Sequence, residues 1–394
     1  MRVSPILDRL ADLGSAKWAL NAAARERIAR GEDVIPLTIG NPDIPTPPVM
    51  IEAAARAMRA GRTHYSGGQG EPALRAALAR RYSRRDGDAV DPSQVICLPG
   101  TQTALFTAFM GIGEEGAEIL VGDPMYATYE GVIRASGARP VPVPLRPERG
   151  FCLDAADLAA RITPATRAIL LNSPHNPTGA VLTARDLDAI GALASAHDLW
   201  IVSDEVYEEL VFDGVEFVSP RARPGLAGRT IVVSSISKSH AAPGFRSGWL
   251  VGPRDFCARL LPLAEMMLFG NQPFIADMTA EVIESPSPVA PGMRARFAAR
   301  AARLAERLAA STALRVHAPQ AGMFALIDVR ATGMDDRTYA FDLLDHGVAV
   351  MPGSSFGETL GGWVRVALTV PDDRFDTAMD RIIAHARLRG AAAA

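Results

Sequence analysis

The chain has 394 residues, 48% hydrophobic and 22% charged, which is enough for two to three compact units and a large apolar core. Its 41 Lys and Arg against 44 Asp and Glu leave a formal net charge of -3, which excludes the global positive field that gathers nucleic acid. Arg2, Asp8, Arg9 and Asp12 interrupt the start of the chain, and no uninterrupted apolar run approaches the ~20 residues of a membrane-spanning helix. Neither a secretory leader nor membrane insertion is expected, and the cytoplasm is the expected location.

In chain order, Ile6 to Gly31 reads as one helix closed by Gly31, followed by a Pro-rich crossing at Pro42 to Pro48. From Val95 onward, β-branched runs alternate with Ala-rich stretches, the pattern of parallel strands joined by crossover helices. The expected strands are Val95–Leu98, Glu118–Val121, Ala168–Asn172, Leu199–Ser203, Thr230–Ser234 and Ser247–Val251. Asp154–Ile162 and Ala184–His197 read as helices, the second opened by Thr183 as N-cap. After a second Pro-rich crossing, Ser285 to Pro291, come a long amphipathic helix over Met293–Ala310 and a strand over Gly322–Asp328. A helix over Tyr339–His346, a strand over Trp363–Leu368 and a helix over Asp372–Arg387 follow, and Ala391–Ala394 should be a frayed end.

This pattern is an α/β fold in which the two flanks could join into a second domain. The expected division is a large unit over residues 46–284 and a small one built from 1–45 and 285–394.

Three cysteines, Cys97, Cys152 and Cys257, are widely spaced and make no CxxC pair, so they read as reduced core residues, with neither a disulfide framework nor a metal site expected. Gly111, Gly113 and Gly116 spell GxGxxG, but they follow a helix-like stretch and precede a strand. A dinucleotide fingerprint needs the reverse order, so these glycines read as a helix end and turn.

The chemistry concentrates in Ser234-Ser235-Ile236-Ser237-Lys238-Ser239-His240, where a lysine follows an apparent buried strand among hydroxyls. Desolvation lowers the pKa of such a lysine, and a neutral amine is what Schiff-base formation requires. Arg246, eight residues on, and Ser235 offer hydrogen bonds suited to a phosphate; a solvated loop with an incidental basic pair is the competing reading. Arg365 lies inside the apolar run Val364–Leu368, and a guanidinium buried there needs an anion.

Several separated motifs, in order along nearly the whole chain, resemble the class I/II aminotransferases of pyridoxal-phosphate fold type I, and among them most the arginine:pyruvate transaminase-like members. They are Ile39-Gly40-Asn41-Pro42-Asp43, Tyr65 with Gly70, Leu74 and Arg75, Gly100-Thr101-Gln102, and Asp123-Pro124-Met125-Tyr126. Asn172 to Gly179, Ser203-Asp204-Glu205-Val206-Tyr207, the Lys238 segment and Trp363-Val364-Arg365-Val366 complete the set. The resemblance implies a large domain with a mostly parallel sheet flanked by helices, plus a smaller α+β domain built from both chain ends. It also implies ping-pong transfer of an amino group from an L-amino acid to a 2-oxo acid, pyruvate or 2-oxoglutarate, through pyridoxal 5′-phosphate.

Residue by residue, the resemblance makes Lys238 the Schiff-base lysine and, once displaced by substrate, the general base. Asp204 would keep the pyridine nitrogen protonated, although by itself it equally suits an N-cap. Asn176 and Tyr207 would bind the phenolic oxygen, where alone they read as a turn and a core residue. Tyr126 would stack on the ring, where alone it reads as a loop aromatic. Gly100, Thr101, Gln102, Ser235 and Arg246 would cradle the phosphate, the Thr101 and Gln102 N–H groups acting from a helix N-terminus. Tyr65 would reach the phosphate of a neighbouring subunit, which implies a homodimer with shared active sites. Gly40, Asn176 and Arg365 would bind the substrate.

A fold type I lyase or decarboxylase would use the same cofactor residues; Arg365 with Gly40 argues for a retained α-carboxylate. A cofactor-sensing transcription regulator would need a further DNA-binding region, for which the first 40 residues are expected to leave no room. A non-catalytic scaffold would have no use for Lys238, Asp204 and Arg246 together.

Overall fold

The computed structural model describes residues 2–11, 13, 15–267 and 269–391. Its strands are β1 (Ile35–Leu37), β2 (Val95–Leu98), β3 (Glu118–Asp123), β4 (Arg139–Pro144), β5 (Thr166–Asn172) and β6 (Trp200–Asp204). They continue with β7 (Thr230–Ser235), β8 (Gly248–Val251), β9 (Arg315–His317), β10 (Phe324–Asp328), β11 (Val348–Pro352) and β12 (Trp363–Ala367). Seven of them form one sheet in the order β2-β8-β7-β6-β5-β3-β4, in which β8 alone runs against its neighbours. The near-continuous apolar runs of β3, β5, β6 and β7 follow from this, because helices cover both faces of a parallel sheet and all their side chains but Arg167 and Trp200 are buried.

Sequence periodicity does not announce β4, Arg-Pro-Val-Pro-Val-Pro, yet the prolines fit its place at the sheet edge. The N–H groups of Arg139 and Leu145 bond β3-side carbonyls at 2.8 and 2.7 Å, so odd-numbered residues face β3. Pro140, Pro142 and Pro144 then point their missing donors at the open edge. The crossover helix Ala184–Ala196 begins as expected: Thr183 Oγ1 accepts from the Asp186 N–H, and Asp186 Oδ2 accepts from the Thr183 N–H, a capping box.

The second sheet, β1-β11-β12-β10-β9, draws β1 from the N-terminal part of the chain, parallel to β11, and its other strands from the C-terminal part. Helices Ala290–Ser311 and Asp372–Leu388 lie against it. Phe297, Leu304, Leu308, Phe375, Met379 and Ile382 join Val350, Val364 and Val366 in one buried cluster. At about 1.5–3 kcal/mol for each large apolar side chain, that burial fixes the helical faces against the sheet.

Three expectations are corrected. Ile6 to Gly31 is two helices, Pro5–Leu10 and Ser15–Ala29, rather than one. Cys152 is only half-buried, whereas Cys97 and Cys257 are core. Ala391 is buried and its carbonyl accepts from the Ala313 N–H at 2.9 Å, so it is not frayed; residues 392–394 lie outside the described residues. The GxGxxG glycines do close a helix, Thr101–Ile112, with Gly113 as its C-cap. Among the described residues, no helix is long and apolar enough to cross a membrane.

Candidate active site

Parallel strands present their C-terminal ends on one side of a sheet, and the residues that follow them share a crevice. Here Asn172 ends β5, Asp204 ends β6, Ser235 ends β7, and the turn after β2 leads into the helix Thr101–Ile112. The smaller sheet faces this edge with Arg365 of β12, Phe324 of β10 and the Ile39-Gly40 turn after β1. Together they line a cleft of about 870 Å³, counting the space open to solvent.

Lys238 sits half-buried in the short helix Ile236–Ser239 directly after β7, and its Nζ donates to the Gly40 carbonyl at 2.7 Å. Burial first, then the Arg365 and Arg246 guanidinium charges, push its pKa down to about 8. Near neutral pH a sizeable fraction of the amine is therefore unprotonated and nucleophilic. Gly40 needs to be glycine, since a Cβ there would come within 2.9 Å of Met323 Sδ and strike the Phe324 ring.

One end of the cleft is an anion cradle. The helix Thr101–Ile112 has no side-chain cap, because its N-cap is Gly100 at φ 86°. A Cβ on Gly100 would collide with the Arg246 guanidinium, so backbone and arginine approach as only glycine allows. Arg246 is itself held by the carbonyls of Pro243 and Pro99 at 2.9 and 3.3 Å. Thr101 Oγ1 donates to Ser235 Oγ at 2.9 Å, and Gln102 Oε1 accepts from Thr128 Oγ1 at 2.8 Å. First-turn N–H groups, two hydroxyls and a guanidinium suit a phosphate.

The other end holds Arg365, which is 2% exposed and stacked between Phe324 and Phe356 at 4.0 and 4.4 Å from the ring centres. Its Nη1 donates to Asn176 Oδ1 at 3.0 Å and its Nη2 to the Thr38 carbonyl, while its buried Nε has no partner. Burial pushes this guanidinium down to about 10, and among the described residues no carboxylate pairs with it.

Between the two ends, Asp204 is buried and its carboxyl is raised to about 6 by burial, against the Tyr129 hydroxyl at 2.7 Å and the Val206 N–H at 3.2 Å. Tyr207 lies beside Asn176, whose Nδ2 donates to its hydroxyl at 3.5 Å. The turn after Asp204 is braced from below by Arg85, paired with Glu205 at 2.7 Å and Glu208 at 2.5 Å. Tyr126 makes an edge contact with Tyr129 at 5.5 Å.

The sequence profile described as Aminotransferase class I and II matches residues 32–382. The chain belongs to the class I and II aminotransferases. It is 45% identical over 383 residues to the arginine–pyruvate transaminase AruH of Pseudomonas aeruginosa, covering 97% of each chain. It is 34% identical to the aspartate/prephenate aminotransferase of Thermus thermophilus, over 93% of this chain and 94% of that one. Among solved structures, a double mutant of Thermus thermophilus aspartate aminotransferase superposes with a TM-score of 0.91 at 33% identity, covering 98% of this chain and 100% of the other. The fold is that of the fold type I aminotransferases. As an aminotransferase, the protein moves an amino group between an amino acid and a 2-oxo acid.

Of the residues singled out in the sequence, the aminotransferase brings Gly40, Thr101, Gln102, Tyr126, Asn176, Asp204, Tyr207, Ser235, Lys238, Arg246 and Arg365 onto the cleft, with Gly100 directly behind Arg246. Tyr65 stands apart at 92% exposed, its ring 5.8 Å from that of Phe269. Sequence reasoning missed Tyr129 and Trp18, which also line the cleft. Tyr129 opens the helix Tyr129–Ala135 three residues after Tyr126, whose carbonyl accepts from its N–H at 3.0 Å, a turn spacing that could have flagged it. Trp18 comes from the helix Ser15–Ala29 and carries no local pattern.

Proposed function

We propose that this aminotransferase works through pyridoxal 5′-phosphate bound covalently by Lys238, with L-amino acids as donors and pyruvate or 2-oxoglutarate as acceptors. The observation that carries the reading is a half-buried lysine with its pKa pushed down to about 8, set between an uncapped helix N-terminus with Arg246 and a second, anion-less Arg365. The two cationic ends suit a phosphate and a substrate carboxylate. The arginine–pyruvate relative makes arginine with pyruvate the first pair to try.

Bound there, the cofactor supplies an electron sink for the charge left when the substrate Cα loses its proton. Thr101 and Gln102 N–H groups, Ser235 and Arg246 would hold its phosphate, Tyr126 would stack on its ring, and Asn176 and Tyr207 would donate to its phenolic oxygen. Asp204 holds a proton on the ring nitrogen. Arg365, with Asn176 and Gly40, orients the substrate carboxylate so that Cα faces Lys238. The Lys238 amine, once displaced by substrate, would take the proton from the substrate Cα as general base and return it on the cofactor side, and the same residues would serve the second half-reaction with a 2-oxo acid.

The division into a cofactor-holding unit, 46–284, and a smaller unit of 1–45 and 285–394 places the substrate between two sheets. Exposed Tyr65 and Phe269 support a homodimer in which Tyr65 reaches the partner's phosphate site. The proposed location is the cytoplasm.

Borohydride treatment of the purified protein, followed by peptide mass analysis, should fix a pyridoxyl group on Lys238, and Lys238→Ala should take up none. A donor screen against pyruvate and 2-oxoglutarate then names the substrates. Label on another lysine, or an adduct surviving in Lys238→Ala, overturns the assignment.

A further inference from the structure

The helix Asp336–Asp345 and the C-terminal helix Asp372–Leu388 bring a second constellation together, beside the smaller sheet and with none of its residues lining the cleft. Asp342 lies in the last turn of the first helix, His346 caps that helix four residues on, and His385 meets them from the other helix. His385 Nε2 lies 2.8 Å from Asp342 Oδ2, the His346 and His385 rings are 5.0 Å apart, and one donor atom from each of the three residues lies within 4.8 Å of the others.

His346 Nδ1 is 2.8 Å from the Asp342 carbonyl, an acceptor only, so this nitrogen carries the ring proton and Nε2 keeps its lone pair. Fixing the tautomer through a backbone carbonyl is how proteins prepare a histidine for a metal. His385 is fully buried. Its Nδ1 and the hydroxyl of Tyr339, whose ring meets it edge-on at 4.9 Å, are both buried without a partner. Two polar groups beside the cluster, though not its ligand atoms, are thus unsatisfied among the described residues.

We propose that Asp342, His346 and His385 bind a divalent transition-metal ion of the zinc type, with water completing the shell. Two imidazoles and a carboxylate match that ion's preference, and tetrahedral ligands at ~2.0–2.1 Å stand about 3.3 Å apart, so the wider spacings need close by no more than about 1.5 Å while the 2.8 Å His385–Asp342 pair opens by about 0.5 Å. Arg389, which now forks onto Asp342 at 2.6 and 2.7 Å from a half-exposed position, gives way to the ion. The site pins the C-terminal helix to its neighbour. Cysteine spacing could not reveal it, because none of its ligands is a cysteine.

The test is calorimetric titration of zinc chloride into untagged, EDTA-treated holoenzyme at pH 7.5 and 5.5. One equivalent per chain should bind at the higher pH and weaken by more than about tenfold at the lower, as the imidazoles protonate. His346→Ala and Asp342→Asn should each weaken binding by at least the roughly 10- to 100-fold that losing even an outer partner costs. These variants avoid the fully buried His385, and circular dichroism confirms their folding. Arg389→Ala should bind more tightly, since it releases the carboxylate, whereas a purely structural ion-pair cluster would gain nothing. Wild-type affinity in His346→Ala and Asp342→Asn, binding that ignores pH, or no stoichiometric binding overturns the site.

Discussion

Removing the Tyr129 hydroxyl isolates how Asp204 is kept ionised. Asp204 has a folded pKa of about 6 against 3.8 for an unperturbed aspartate, so its ionisation opposes folding; that cost is absent below about pH 4 and complete above about pH 6. The Tyr129 hydroxyl, at 2.7 Å, reduces the cost by stabilising the charged form. A hydrogen bond to the charged carboxyl contributes about 1.5–3 kcal/mol and one to the neutral acid about 0.5–1.5, so Tyr129→Phe should raise the carboxyl's pKa further, by the roughly 1 kcal/mol that separates the two. In cofactor-free protein the variant should lose about 1.5–3 kcal/mol of stability at pH 8. The difference should shrink to the ~0.5–1.5 kcal/mol of a neutral hydrogen bond at pH 5, where the acid is largely protonated in both proteins. Thermal unfolding of wild type and variant at the two pH values reads this directly. In the holoenzyme a more basic Asp204 draws the proton away from the ring nitrogen, so turnover should fall by about tenfold, or about 1.4 kcal/mol of barrier. A pH-independent stability difference together with unchanged turnover would refute the coupling.

Lys238, with its pKa pushed down to about 8, should capture added pyridoxal phosphate faster as pH rises through 8 and level off above it; stopped-flow absorbance checks this, and a flat profile between pH 7 and 9 contradicts it. Arg365→Lys keeps the charge but loses the planar fork, so kcat/KM should fall by roughly one to two orders of magnitude while the cofactor spectrum is unchanged; loss of cofactor instead would move Arg365 to the phosphate site. Gly100→Ala forces a Cβ into the Arg246 guanidinium at a positive φ, so cofactor affinity measured by equilibrium dialysis should drop at least tenfold; wild-type affinity would remove Gly100 from the cradle.

What could be read from the sequence follows the physics of each element. Strands β3, β5, β6 and β7 are buried on both faces and so appear as apolar runs between helices, which is why all four were recognisable. Strands β1 and β9 have three residues each, too short for any period, and β11, Val-Ala-Val-Met-Pro, is an apolar run that periodicity alone cannot assign. Site residues at strand ends and tight turns, such as Asp204 and Gly100, sit in motifs whose spacing is local. Tyr129 and Trp18 matter only because tertiary packing carries them to the cleft, and Tyr129 acts through Asp204, 75 positions away.

Arg365 shows why the site needs both sheets at once. Its partners are the Asn176 amide oxygen, from the loop after β5 in the large sheet, and the Thr38 carbonyl, from the turn after β1 in the small one. Both are neutral acceptors. They orient the guanidinium between Phe324 and Phe356 but leave its charge without an anion, and its Nε without any partner. Folding has therefore already removed water from the arginine before a ligand arrives, and the fork cannot swing away to solvent. An incoming carboxylate meets a desolvated and oriented cation, so most of the ordering cost of that contact falls on the fold rather than on binding. A single sheet supplies only one of the two acceptors, and the same arginine would then be a flexible, solvated side chain with little power to aim Cα at Lys238.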